Sequence, residues 1–253
     1  MAKNDIPRPT NVKPGDEFYD AVVPATIASA QNVMFEPAAE LIELPSHGYL
    51  YKDVTDDPDI IEKGSIRVRP MTVHEEKILS TPRLVKSGQA LDMVFQNVIK
   101  SKGLSGVALD PSTLLSSDRV YIMLWLRSVS YGNNYKFNLT CPAATCQKRF
   151  EYEVDLSQHP ITEMTDPNIA EPLTFVLPIS KCTITYRLPR GKDEIEIIKL
   201  QNQPKKINDT DETIVKRLNS SIFKIVDPEN KEIPAQHKSA FIESMLAGDA
   251  SAF

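Results

Sequence analysis

Glycine is scarce in this chain, with nine in 253 residues. A typical protein has a share near 7%. That scarcity argues against a Gly-rich cradle for phosphate, which needs several glycines in one short stretch. Cysteine is equally sparse. Three cysteines cannot form a disulfide scaffold, and the odd number points to a reducing compartment. The longest apolar run, Val120–Leu126, is far shorter than the roughly 18 residues of a membrane span. Met1–Thr10 is polar and contains proline, so no secretory leader is expected. There is no basic excess. A net charge of -5 and a pI near 5.5 argue against a nucleic-acid binder, which would carry a basic face. The four histidines, His47, His74, His159 and His237, are scattered among polar neighbours.

What is present is an ordinary globular composition, 41% hydrophobic and 25% charged, enough to bury a core. The first stretch differs from the rest. Residues 1–65 hold five basic and twelve acidic side chains, a balance of -7, and six prolines punctuate residues 1–45. Proline fixes its own backbone and lacks an amide donor, so residues 1–40 read as an extended N-terminal arm. Such an arm is either a loose terminus or a segment that orders on another subunit. Phe18, Tyr19, Val22, Val23, Ile27, Val33, Met34 and Phe35 favour the second reading, because a solvated tail does not need them. The candidate partner-binding residues are Phe18, Tyr19, Met34 and Phe35 in the arm. Tyr49 and Tyr51, beside the Pro45-Ser46-His47-Gly48 turn, join them, since aromatic anchors often carry interface energy.

The fold class expected beyond the arm is α+β, with helical bundle elements and antiparallel hairpins. An α+β domain spans 41–156, a polar linker 157–172, and a second α+β region 173–253. Residues 41–51 suggest a tight loop or hairpin, and Ser65–Arg69 alternates like a half-buried strand. Thr72 followed by Glu75 has the spacing of a capping box. Leu91, Val94, Phe95, Val98 and Ile99 form a helical stripe. The run Val120–Leu126 predicts a central buried helix in which Leu124 or Trp125 is fully buried. From Tyr135 the period becomes two. Residues 135–139 and 150–154 form a predicted hairpin with Cys141–Arg149 as its loop. Further strands are expected at 173–177 and 182–188, and helices at 192–202, 209–224 and 235–247.

One order of elements occurs twice. A strand ending in Arg69, then an acidic helix start, then two helices occupies 65–130. A strand ending near Arg187, then Asp193-Glu194, then two helices occupies 182–248. The offset from Arg69 to Arg187 equals that from Glu76 to Glu194. This suggests an internal duplication; two unrelated segments with similar capping would also give the pattern.

No constellation for catalysis emerges. Cys141 and Cys146 flank four residues, wider than a zinc knuckle, and a complete zinc site would have to recruit Cys182 and His159. A plain hairpin loop with reduced thiols is the preferred reading, and no cofactor is expected. His74-Glu75-Glu76 lacks the second histidine of a metalloprotease helix. Ser46, His47 and Asp53 lack a nucleophile elbow. Asp56, Asp57 and Asp59 lack the glycine and closing glutamate of a calcium loop. A non-enzymatic assembly protein is the physical default, and a hydrolase with an unrecognised site is the remote alternative.

Several segments in order resemble a known family. They are Gly64–Leu79 (GSIRVRPMTVHEEKIL), Leu114–Arg119 (LLSSDR), Leu126–Gly132 (LRSVSYG) and Tyr135–Asp155 with its Cys141-Pro142 step, preceded by Leu44–Tyr51 (LPSHGYLY). Together they resemble the baseplate proteins of T-even-type contractile-tailed bacteriophages, the hub and hub-assembly proteins. The resemblance covers about residues 41–156. It implies a structural component of the tail baseplate, at or near the hub. Its partners would be other tail proteins (hub, tube or wedge subunits), with neighbouring copies of itself also possible. Such a protein would lie in the virion after assembly in the host cytoplasm. The alternative implied by the family is an assembly chaperone absent from the finished particle.

Overall fold

A computed structural model describes residues 36–143, 145–202 and 212–253. The arm residues Phe18, Tyr19, Met34 and Phe35 lie outside the described residues. Residues 38–253 group as one unit. The architecture is α+β, with nine α-helices and small antiparallel sheets among the described residues.

Strand β1 (Glu40–Glu43) pairs antiparallel with β2 (Ser65–Val68). Alternation sends Ile66 and Val68 into the core and Arg67 outward. Of the tight loop or hairpin expected over 41–51, the structure has the tight turn, over residues 45–50. The chain then runs through a short helix α1 (Pro58–Ile61), capped by Asp57, before β2 returns to pair with β1. Helix α2 (Val73–Leu79) starts at Thr72 with the capping box that the sequence predicts. Then α3 (Pro82–Lys86) and α4 (Ala90–Val98) follow, the latter burying Val94, Phe95 and Val98.

Helix α5 (Ser116–Tyr131) is the longest. Ile122 and Leu126 are buried, but Leu124 and Trp125 are only partly so, and Val120 and Met123 are exposed. The expectation that Leu124 or Trp125 is fully buried is therefore corrected. One face of α5 rests on the core, Tyr121 and Trp125 pack against its margin, and Val120 and Met123 face outward. Gly132, with φ 87°, ends the helix in a backbone region that disfavours a Cβ.

Strands β3 (Asn134–Thr140) and β4 (Arg149–Asp155) make the predicted hairpin. Residues 157–172 hold no strand and only the end of a 3-10 turn. Met164 and Ile169 nonetheless lie against the first core, and the Met164 amide donates to Pro45. Strands β5 (Leu173–Val176), β6 (Thr183–Tyr186) and β7 (Ile222–Val226) form a second sheet, with β6 central. Helices α6 (Gly191–Gln201) and α7 (Thr213–Ser221) lie between β6 and β7. The helix expected over 209–224, whose first three residues lie outside the described residues, gives way to a strand at Ile222, where β-branched residues pair with β6 and burial outweighs helical propensity. The helix expected over 235–247 is divided into α8 (Lys238–Glu243) and α9 (Ala247–Ala252).

The same contacts occur in both halves. The Leu44 amide donates to Gly64, and the Leu177 amide to Cys182. The Arg69 amide donates to Val98 and the Arg187 amide to Ser221, each joining the end of a strand to the end of the helix before the next strand segment. A tight turn follows in each. Lys102 bridges Ala108 around Gly106, and Val226 bridges Glu232 around Asn230, both turn residues with positive φ. Each half then ends in a helix whose N-cap is a leucine, Leu115 or Leu246, with an aspartate three residues on.

Candidate protein-docking surface

Two kinds of buried polar anchor fasten the elements of the body to one another. In the first, the Arg69 guanidinium meets both Glu75 carboxylate oxygens at 3.0 and 3.2 Å, and Glu75 also accepts the Thr72 amide at 2.8 Å. Arg187 meets both Asp193 oxygens at 2.7 Å, and Asp193 accepts the Arg190 amide at 2.8 Å. Burial opposes ionisation of Glu75, but the bonds from Arg69 and Thr72 outweigh it and hold its carboxyl at about 2. Asp193 is lowered in the same way, burial being overcome by Arg187 and the Arg190 amide.

In the second kind, a carboxylate near a helix start clasps the turn after a strand. Asp118 accepts the Ser46 amide at 3.2 Å and the Ser46 hydroxyl at 2.5 Å. Asp249 accepts the Ile179 and Ser180 amides at 2.7 and 3.0 Å. Tyr51 is fully buried. Its hydroxyl donates to Asp118 at 2.7 Å and accepts the Leu115 amide at 2.8 Å. Burial first, then the Asp118 charge, pushes the Tyr51 phenol well above its usual range. Tyr51 therefore ties α5 to the turn from inside, a correction to its expected place among partner contacts. Tyr49 remains partly exposed.

The other sequence candidates separate. Cys141 and Cys146 sit in the β3–β4 loop and His159 is exposed, whereas Cys182 is buried in the second core. Among the described residues, no group of three His, Cys, Asp or Glu side chains could hold a metal ion. The Ser46 hydroxyl is committed to Asp118, and His47 lies near Glu43 and Glu163. No helix among the described residues is long and apolar enough to cross a membrane.

What the structure leaves open is an apolar surface that runs from α5 into the hairpin. The hairpin register pairs Tyr135 with Val154, Phe137 with Tyr152 and Leu139 with Phe150. Alternation puts these six on one face, and Lys136, Asn138, Glu151 and Glu153 on the other. Nothing among the described residues covers the apolar face. Tyr135, Leu139, Phe150 and Tyr152 are 42%, 39%, 44% and 50% exposed, which is unusual for large side chains gathered on one face. Phe137 meets Tyr152 edge-on at 5.6 Å. Arg127 on α5 stacks on Tyr131 at 4.7 Å and on Tyr135 at 5.2 Å, joining helix to hairpin. Val120, Met123 and Tyr131 extend the surface along α5 at helical spacing. Tyrosine, methionine and arginine on a rigid frame are the residues enriched in protein interfaces.

The hairpin aromatics are legible as alternation in the sequence, but their exposure is not. Arg127 carries no signal in sequence, because its stacking depends on Gly132 turning the chain back onto α5.

A family model described as T4 bacteriophage base plate protein matches residues 49–250, about four-fifths of the chain. Comparisons with curated proteins and with solved structures return no significant match.

Proposed function

The chain belongs to the T4 bacteriophage base plate protein family, structural components of a phage tail, and from that premise we propose that it sits at or beside the hub of a contractile baseplate. It is not an enzyme. It works by binding other tail proteins, whether hub, tube or wedge subunits, during assembly in the host cytoplasm, and it stays in the virion. The observation that carries this reading is the uncovered apolar face of the β3–β4 hairpin, continued along α5. A two-stranded hairpin is marginal alone. Here its apolar side has no layer over it, and a partner that buries those side chains gains about 25 cal/mol per Å² covered.

The arm supplies a second contact in this reading. Phe18, Tyr19, Met34 and Phe35 order across a neighbouring subunit, and Tyr49 beside the turn adds a further contact. The domain limits that follow are an arm over 1–40, a first α+β domain over 41–156, and a second over 173–253.

The test is complementation. A phage lacking this gene is supplied with Tyr135→Ser/Phe150→Ser/Tyr152→Ser. The variant is expected to fold and remain soluble but to yield no complete baseplates. Normal tails from that variant would remove the hairpin from the docking surface.

A further inference from the structure

We propose that residues 71–73 and 245–247 are the two open ends of a contact that this chain already makes once internally, and that a second copy of the chain closes it. The contact joins the two halves of the described body. Leu115, the N-cap of α5, forms an antiparallel bridge with Arg190, the N-cap of α6. The Ser116 amide donates to Pro189 at 2.9 Å, and the Gly191 amide to Leu114 at 3.0 Å. Leu114, Leu115, Arg190 and Gly191 are all buried.

Each partner has a counterpart in the other half. Thr72 holds the place of Arg190: both are helix N-caps, both donate their amide to the carboxylate three residues on, and both follow an arginine paired with that carboxylate. Leu246 holds the place of Leu115: both are N-caps three residues before the aspartate that clasps the opposite turn. Within one chain these counterparts do not meet. Val73 is 65% exposed and Leu246 is 52% exposed. Among the described residues, the Val73 and Ala247 amides have no hydrogen-bond partner. The contact inside the chain is thus head-to-tail, and a head-to-tail contact leaves one of each half unused.

The side chains around the open ends are complementary in size. In the internal contact, Arg119 lies against Gly191, where a Cβ would come within 2.5 Å of the guanidinium, and it pairs with Glu194. At the open ends the place of Gly191 is taken by Val73, and that of Arg119 by Ala250. Space lost to the valine is returned by the alanine. Glu76, in the place of Glu194, has no need of an arginine because it already accepts the Tyr131 hydroxyl. The inference rests on this repeated geometry and not on the tail reading, so either can fail alone.

Sedimentation of the full chain over a range of concentrations is the test, together with directed cross-linking. Self-association that rises with concentration is expected. Leu246→Asp and Val73→Asp, both at exposed sites, are each expected to weaken it more than about tenfold while leaving the circular dichroism unchanged. Leu115 and Arg190 face each other between the two hydrogen bonds of their bridge, the close type of antiparallel pair, a spacing that suits a disulfide. In a Cys141→Ser/Cys146→Ser background, mixing Thr72→Cys with Leu246→Cys is therefore expected to give a cross-linked dimer, and neither variant alone is. A protein that stays monomeric at every concentration would overturn the proposal. So would association unaffected by both aspartates, or cross-links that join like to like.

Discussion

Arg69 and Arg187 each stand where a strand turns into a helix, and each closes that corner on a buried carboxylate. Removing one partner strands the other charge, at a cost of about 3–5 kcal/mol. Glu75→Ala is expected to lower the urea midpoint accordingly, and an unchanged midpoint would mean the pair is dispensable. The pH dependence follows from the same bonds. Glu75 ionises at about 2 in the folded protein, against an ordinary value of 4.5. The ionised carboxylate therefore favours the folded state. That stabilisation is complete above about pH 4.5, is lost as pH falls toward 2, and amounts to roughly 3 kcal/mol. Urea midpoints at stepped pH, compared between the parent and Glu75→Gln, isolate this residue from Asp118, whose carboxyl burial pushes upward. The variant is expected to show the shallower acid decline; equal declines would contradict the pairing. Tyr51→Phe leaves the Leu115 amide without its acceptor and is expected to cost about 1–3 kcal/mol. These residues are only partly legible in sequence. The capping box at Thr72 and Glu75 has a local spacing, whereas Tyr51 beside a turn looks like a surface aromatic until Asp118 is brought to it from 67 residues away.

At the scale of elements, α5 and the hairpin divide the labour between core and surface. Ile122→Ala or Leu126→Ala is expected to cost about 2–5 kcal/mol, because each opens a cavity in the first core. Val120→Ala and Met123→Ala are expected to stay within about 0.5 kcal/mol. Thermal melts of the four separate the buried face from the open one, and equal losses would contradict that division. Sequence alone cannot divide a run such as Val120–Leu126, since every position is apolar and the period is hidden. The hairpin is the opposite case. Tyr135–Leu139 and Phe150–Val154 alternate strictly, so both strands and their loop are legible. Strand β7 is not, because Ile214–Phe223 keeps helical spacing across a boundary set by pairing with β6.

At the scale of the whole molecule, the described residues fall into two halves that repeat one set of contacts. The constant offset from Arg69 to Arg187 and from Glu76 to Glu194 shows in the sequence. Its physical meaning lies one residue earlier, at Glu75 and Asp193, where the carboxylates meet the arginines. Residues 1–40 carry prolines and acidic charge that add little to a core. Deleting them is expected to leave a folded, soluble protein that no longer enters the assembly; a truncated protein that unfolds, or that complements as well as the full chain, would contradict this. The central claim is that the chain is a retained structural part of the baseplate, and quantitative mass spectrometry of purified tails tests it most directly. The account predicts peptides of this chain at a fixed whole-number ratio to the other baseplate proteins. Their absence from infectious, intact tails would contradict it and make the chain a factor that leaves before the particle is complete.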